Sequence, residues 1–125
     1  MLCACVIRLV TKSTALASTK TLMKIIYKTL NNVLYIGIAG ELDESAAESV
    51  RNTLDTLIKE PNIKKVMLDM SELVFMDSTG IGVLLGRFKK LKALGIPLNI
   101  ANPTKAVDKL LTLCGIYQYM PKVNF

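Results

Sequence analysis

Histidine and tryptophan are both missing from this chain of 125 residues, which also holds only three cysteines, four prolines and three phenylalanines. Without histidine, no Ser–His or Cys–His nucleophile can be assembled within one chain, and histidine-ligated metal sites are excluded. Cys3, Cys5 and Cys114 form neither a disulfide framework nor a zinc-binding spacing. Free thiols of this kind fit a reducing cytosol. Internal repeats and low-complexity tracts are also missing.

What is present is ordinary for a single globular domain: 51% hydrophobic and 21% charged residues. A chain of this size buries roughly two-thirds of its unfolded surface, enough for a core without disulfides or metal. The net charge of +6 is unevenly placed. Residues 1–22 carry Arg8, Lys12 and Lys20 with no acid, leaving 13 basic and 10 acidic residues for 23–125. Apart from Lys89, Lys90 and Lys92, those lysines are spread over several elements, which reads as a solvated surface and not as a nucleic-acid footprint.

Residues 1–22, rich in Ser, Thr and Ala, read as a disordered extension or a non-native leader upstream of a start at Met23. Their composition also resembles an organellar transit peptide. The apolar run is interrupted by Arg8 and too short to span a bilayer. No basic region precedes it, so it makes a poor secretory signal.

From Met23 the pattern is β-β-α-β-α-β-α-β. "KIIYKTLNNVLYIGIAG" is a hairpin turning at Asn31-Asn32 and closed by Gly40. The first helix takes Asp43 or Ser45 as N-cap, Ser45 and Glu48 having capping-box spacing. Its apolar stripe is Val50, Leu54, Leu57 and Ile58, and Pro61 stops it. "KKVMLDM" is a short central strand. The second helix buries Ile81, Leu84, Leu85, Phe88, Leu91 and Leu94, with Arg87, Lys89, Lys90 and Lys92 largely off that stripe and Gly95 as C-cap. After the strand "IPLNIAN", Asn102 and Pro103 read as N-cap and first residue of a third helix. That helix buries Val107, Leu110, Leu111 and Cys114 and ends at Gly115. "IYQYMPKV" is a last edge strand. Single-striped helices between strands give an α/β domain, and the opening hairpin makes the sheet mixed.

"MDSTGIG", residues 76–82, concentrates an acid, two hydroxyls and two glycines at a strand-to-helix turn. Asp, Ser and Thr there are first of all helix caps. A helix N-terminus also favours an anion, so a phosphate on Ser78 would be tolerated, apart from repulsion by Asp77. The spacing of Gly80, Gly82 and Gly86 is only a variant of a dinucleotide-binding fingerprint, with no acid at the end of the next strand. The absence of a Lys-Ser or Lys-Thr pair after the glycines excludes a P-loop. Gly80 and Gly82 are read as allowing tight backbone packing at the turn, and Gly82 and Gly86 as points where the helix closely approaches its neighbour.

Together, "GELD" at residues 40–43, "FMDSTGIGVLLGRFKKLK" at residues 75–92 and the element order resemble the anti-sigma factor antagonists, bacterial single-domain proteins of the STAS class, those controlling sporulation most of all. The resemblance covers residues 23–123 and implies a single STAS-like domain of mixed sheet with packed helices. It implies a partner-switching protein with no catalysis and no cofactor or metal of its own. The unphosphorylated form binds an anti-sigma factor, itself a serine kinase, and so frees a sigma factor for transcription. Phosphorylation of Ser78 releases it, and a metal-dependent serine phosphatase resets it. The implied partner-binding residues are Asp43, Asp77, Thr79, Gly80 and Gly82. Neither direct nucleic-acid binding nor membrane association is implied, and the compartment is the cytoplasm. Members of the family usually continue into a C-terminal helix, and against that pattern residues 23–125 read as a STAS domain without most of it. The same fold in another system, a stressosome or a transport regulator, and a nucleotide-binding module are the alternatives.

Overall fold

The computed structural model describes residues 6–11 and 23–123. Its strands are β1 (Val6–Thr11), β2 (Lys24–Leu30), β3 (Val33–Leu42), β4 (Lys65–Met76), β5 (Leu98–Ala101) and β6 (Lys122–Val123), and its helices are α1 (Glu44–Leu57), α2 (Ser78–Ala93) and α3 (Lys105–Leu113). They form one sheet in the order β1-β2-β3-β4-β5-β6. The first two pairings are antiparallel and the other three parallel. The α/β class and the mixed sheet are as the sequence reads, and β4 is central. Each parallel step moves the same way across the sheet, so right-handed crossovers place α1, α2 and α3 on one face.

Local chemistry explains most boundaries. The β2–β3 turn is made by Asn31 and Asn32, both at positive φ (54° and 66°), a conformation that asparagine tolerates and that matches hairpin twist. In β3, alternate residues Leu34, Ile36, Ile38 and Leu42 are buried and face the helices. β4 pairs with β3 as far as Leu42↔Met76, with two register shifts in which β4 uses extra residues. It is therefore longer than the predicted short strand, because its partner continues beyond Gly40. The bulges interrupt the alternation, leaving Val74 and Phe75 on the surface (60% and 46% exposed) while Leu73 and Met76 remain buried.

Within the segment read as a disordered or non-native leader, Val6–Thr11 pairs in register with Lys24–Leu30 from Val6↔Thr29 to Thr11↔Lys24; its aliphatic and β-branched content suits an edge strand. The rest of that segment, residues 1–5 and 12–22, lies outside the described residues. Of the two N-caps the sequence offers for α1, Asp43 is the one used, and no Ser45–Glu48 capping box forms: Asp43 Oδ1 accepts from the Ser45 N–H at 3.0 Å, the Ser45 hydroxyl at 2.7 Å and the Ala46 N–H at 3.2 Å. The N-cap of α3 is Thr104, not Asn102, which turns the chain at φ 49°. Leu94 follows the last turn of α2 and is exposed, whereas Arg87 is buried at 6% exposure. Cys114 is the C-cap of α3 and is exposed; after Gly115 turns left-handed (φ 69°), Ile116 takes the buried place. The expected final strand is a 3-10 turn, Ile116–Gln118, followed by the two residues of β6.

Candidate functional site

Leu42 and Met76 pair at the C-terminal ends of adjacent parallel strands, so Asp43 and Asp77, the next residues, stand at neighbouring strand ends and cap neighbouring helices. The Asp77 N–H donates to the Leu42 carbonyl at 3.4 Å, tying the two ends together. Two helix N-termini thus open on the same edge, where backbone N–H groups and helix dipoles favour negative charge. In open α/β sheets this carboxyl edge is where ligands and partners are met.

The loop's hydroxyls divide their tasks. Asp77 Oδ1 accepts from the Thr79 N–H at 3.0 Å and the Gly80 N–H at 3.3 Å, while its carbonyl accepts from Ile81. Capping therefore belongs to the carboxylate. Ser78 is the first residue of α2 and is exposed. Its hydroxyl makes no hydrogen bond among the described residues and faces solvent chemistry free of a structural duty. Thr79 is half-buried.

Gly80 is buried, and a Cβ there would collide with the Met76 side chain and stand 3.0 Å from Leu42 Cγ. Only glycine lets the first turn of α2 press on the strand ends, which fixes Ser78 at the edge. Gly82 is exposed, and neither it nor Gly86 has any atom within 4 Å of a built Cβ. Of the three glycines expected to pack closely, Gly80 does, whereas Gly82 and Gly86 do not. The structure thus brings Asp43, Asp77, Ser78 and Thr79 to one edge, with Gly80 beneath them and Gly82 one turn along. A dinucleotide is disfavoured there, since the Thr79 and Gly80 N–H groups that a pyrophosphate would need are already held by Asp77.

Three supports escaped the sequence. The Thr104 hydroxyl donates to the Leu73 carbonyl at 2.9 Å, anchoring the start of α3 to the end of β4. Arg87 Nε lies 2.9 Å from Asp55 Oδ1, and Lys90 Nζ 3.1 Å from Oδ2, locking α2 to α1. Arg87 Nη1 is buried without a partner, and the Nε contact is an ion pair by distance without hydrogen-bond alignment. Burial lowers the Arg87 pKa, with Asp55 opposing that shift. Finally, Val74 and Phe75 add exposed apolar surface just before Ser78; their signal was the unbroken run Leu73-Val74-Phe75, too apolar for solvent yet not in strand alternation.

The STAS domain pattern matches residues 24–124. An anti-sigma F factor antagonist of Paenibacillus polymyxa is 34% identical over 89 residues, 71% of this chain and 76% of that protein. The solved anti-sigma factor antagonist SpoIIAA in its unphosphorylated form superposes with a TM-score of 0.65 at 28% identity, covering 79% of this chain and 87% of that one. The Bacillus cell fate determinant SpoIIAA in its phosphorylated form superposes with a TM-score of 0.58 at 27% identity, covering 79% and 90%. Among the described residues, no helix is long and apolar enough to cross a membrane and no group of His, Cys, Asp or Glu could hold a metal ion.

Proposed function

The chain belongs to the STAS domain family, and from that premise we propose that it is an anti-sigma factor antagonist switched by phosphorylation of Ser78. One observation carries the reading: Ser78 is exposed at the first position of α2 while Asp77 performs the capping. A kinase can therefore take the hydroxyl without dismantling the helix end. The likeness to an antagonist solved in both unphosphorylated and phosphorylated forms supports it.

The unphosphorylated edge binds an anti-sigma factor that is also a serine kinase, which frees a sigma factor for transcription in the cytoplasm. Asp43, Thr79 and the exposed backbone near Gly82 belong to the contact, and Gly80 holds it in place. Phosphate on Ser78 adds nearly two negative charges beside Asp77. An interface closed over it must desolvate that charge, at a cost of several kcal/mol in order of magnitude. Since about 1.4 kcal/mol is tenfold in affinity, one phosphate converts a tight complex to a weak one. A serine phosphatase restores the binding form. The protein itself catalyses nothing in this scheme.

Incubation with a cognate anti-sigma factor kinase and ATP, followed by peptide mass spectrometry, is expected to place phosphate on Ser78. Calorimetry should show Ser78→Ala binding the kinase and Ser78→Asp binding it at least tenfold more weakly. Phosphate elsewhere, or equal binding by both variants, would overturn the reading.

A further inference from the structure

On the sheet face opposite the helices, the three strands β2, β3 and β4 are chemically graded from one side to the other. Register places Lys24, Ile26 and Lys28 of β2 across from Ala39, Gly37 and Tyr35 of β3. On the other side of β3, Asp69 pairs with Gly37 and Glu72 with Ala39. The β2 flank is thus basic, the β4 flank acidic, and the strip between them is small or apolar. Ile26 is 43% exposed. Next to it, a Cβ on Gly37 would find only the Ile26 carbonyl oxygen, at 3.9 Å. All of these residues except Lys24 line a shallow concavity of about 570 Å³. Among the described residues, the parallel half of the sheet has its helices on one face only, an arrangement uncommon for parallel strands unless the second face is also covered.

We propose that this face is a homodimer interface, with a second copy of the chain as its occupant. The argument is charge complementarity. A two-fold axis lying in the interface along β3 exchanges the two flanks. Lys24 of one copy then meets Glu72 of the other at the same level, and Lys28 approaches Asp69. The same two contacts recur by symmetry, as an isologous interface requires. Gly37 and Ala39 let the central strands approach closely, and the Ile26 side chains fill the space beside them. A partner of uniform charge would satisfy one flank and be repelled by the other, which is why self-association fits better than an acidic or a basic partner. The proposal does not rest on the switch assigned to Ser78, which follows the end of β4 at the start of α2.

The test is sedimentation equilibrium of the full chain over a concentration series, with circular dichroism confirming that each variant is folded. The native chain should show a monomer–dimer equilibrium. Ile26→Glu and Glu72→Lys should each weaken it at least tenfold, and Lys24→Glu combined with Glu72→Lys should restore most of the loss. Lys24 and Glu72 are both exposed, so their variants test the proposal even if Ile26→Glu disturbs the sheet. A chain monomeric at every concentration, or a dimer indifferent to the charge variants, overturns the proposal. A monomer whose Ile26 signals shift on adding detergent micelles would assign the face to an apolar ligand instead.

Discussion

At the scale of single residues, the loop at α2 shows how position decides what one residue type does. Gly80 and Gly82 are two residues apart in one helix, yet a methyl group at Gly80 has nowhere to go and at Gly82 meets nothing. Gly80→Ala should therefore destabilise the protein by about 1–3 kcal/mol, the usual cost of overpacking. Gly82→Ala should stabilise it by about 0.5–1 kcal/mol through helix propensity. Urea titrations of the two variants check the opposite signs; equal shifts would contradict the packing. The sequence announced that the loop was unusual, since capping residues and glycines are local signals. It could not say which carboxylate or hydroxyl caps, because that depends on the direction in which the chain leaves β4.

At the scale of elements, α1 and α2 are coupled through one carboxylate. Asp55 serves both Arg87 and Lys90, and Arg87 is buried while Lys90 is exposed. Removing Asp55 strands a buried guanidinium, so Asp55→Ala should cost about 3–5 kcal/mol. Arg87→Met removes the charge and keeps the aliphatic stem, so the double variant Asp55→Ala/Arg87→Met should be markedly more stable than Asp55→Ala alone. A double-mutant cycle by thermal or urea unfolding measures the coupling. The pair was hidden because helix periodicity identifies a face by its apolar residues, and an arginine on that face reads as an intruder until its partner on another element is seen. The hairpin, by contrast, was readable in full: Asn31-Asn32 acts on its immediate neighbours, and alternation in β3 reports burial directly.

At the scale of the whole molecule, the C-terminal part is closed by a network joining α3, the 3-10 turn and β6. The Tyr117 hydroxyl donates to Asp108 Oδ1 at 2.5 Å, and Lys122 Nζ donates to the same oxygen at 3.1 Å. The bond from Tyr117, then that from Lys122, lowers the Asp108 pKa below the usual carboxylate range. Burial, then the bond and charge of Asp108, raises the Tyr117 pKa well above that of free tyrosine. A depressed carboxylate contributes stability that is present above its unfolded pKa and lost as pH falls through the folded value. A raised tyrosine contributes stability that is present below its unfolded pKa and lost as pH rises through the folded one. Tyr117→Phe should therefore flatten both the acid and the alkaline limbs of the stability profile, measured as unfolding midpoint against pH. An unchanged profile would show the network to be without energetic weight.

What the sequence determined by itself were the properties that act over a few residues: the helix stripes, the asparagine turn, the clusters of capping residues before α1 and α2, and the concentration of hydroxyls around Ser78. Each depends on local backbone geometry and on periodicity, both carried by adjacent residues. Tertiary structure decided the rest. Pairing of Leu42 with Met76 set two helix N-termini side by side. The bulges of β4 put Val74 and Phe75 on the surface, and close approach of α2 to Leu42 and Met76 made Gly80 indispensable. Cys114 reached solvent because α3 ends at that residue and the chain turns at Gly115. These outcomes depend on which distant segments share a space, and packing of that kind leaves no periodic mark on the chain.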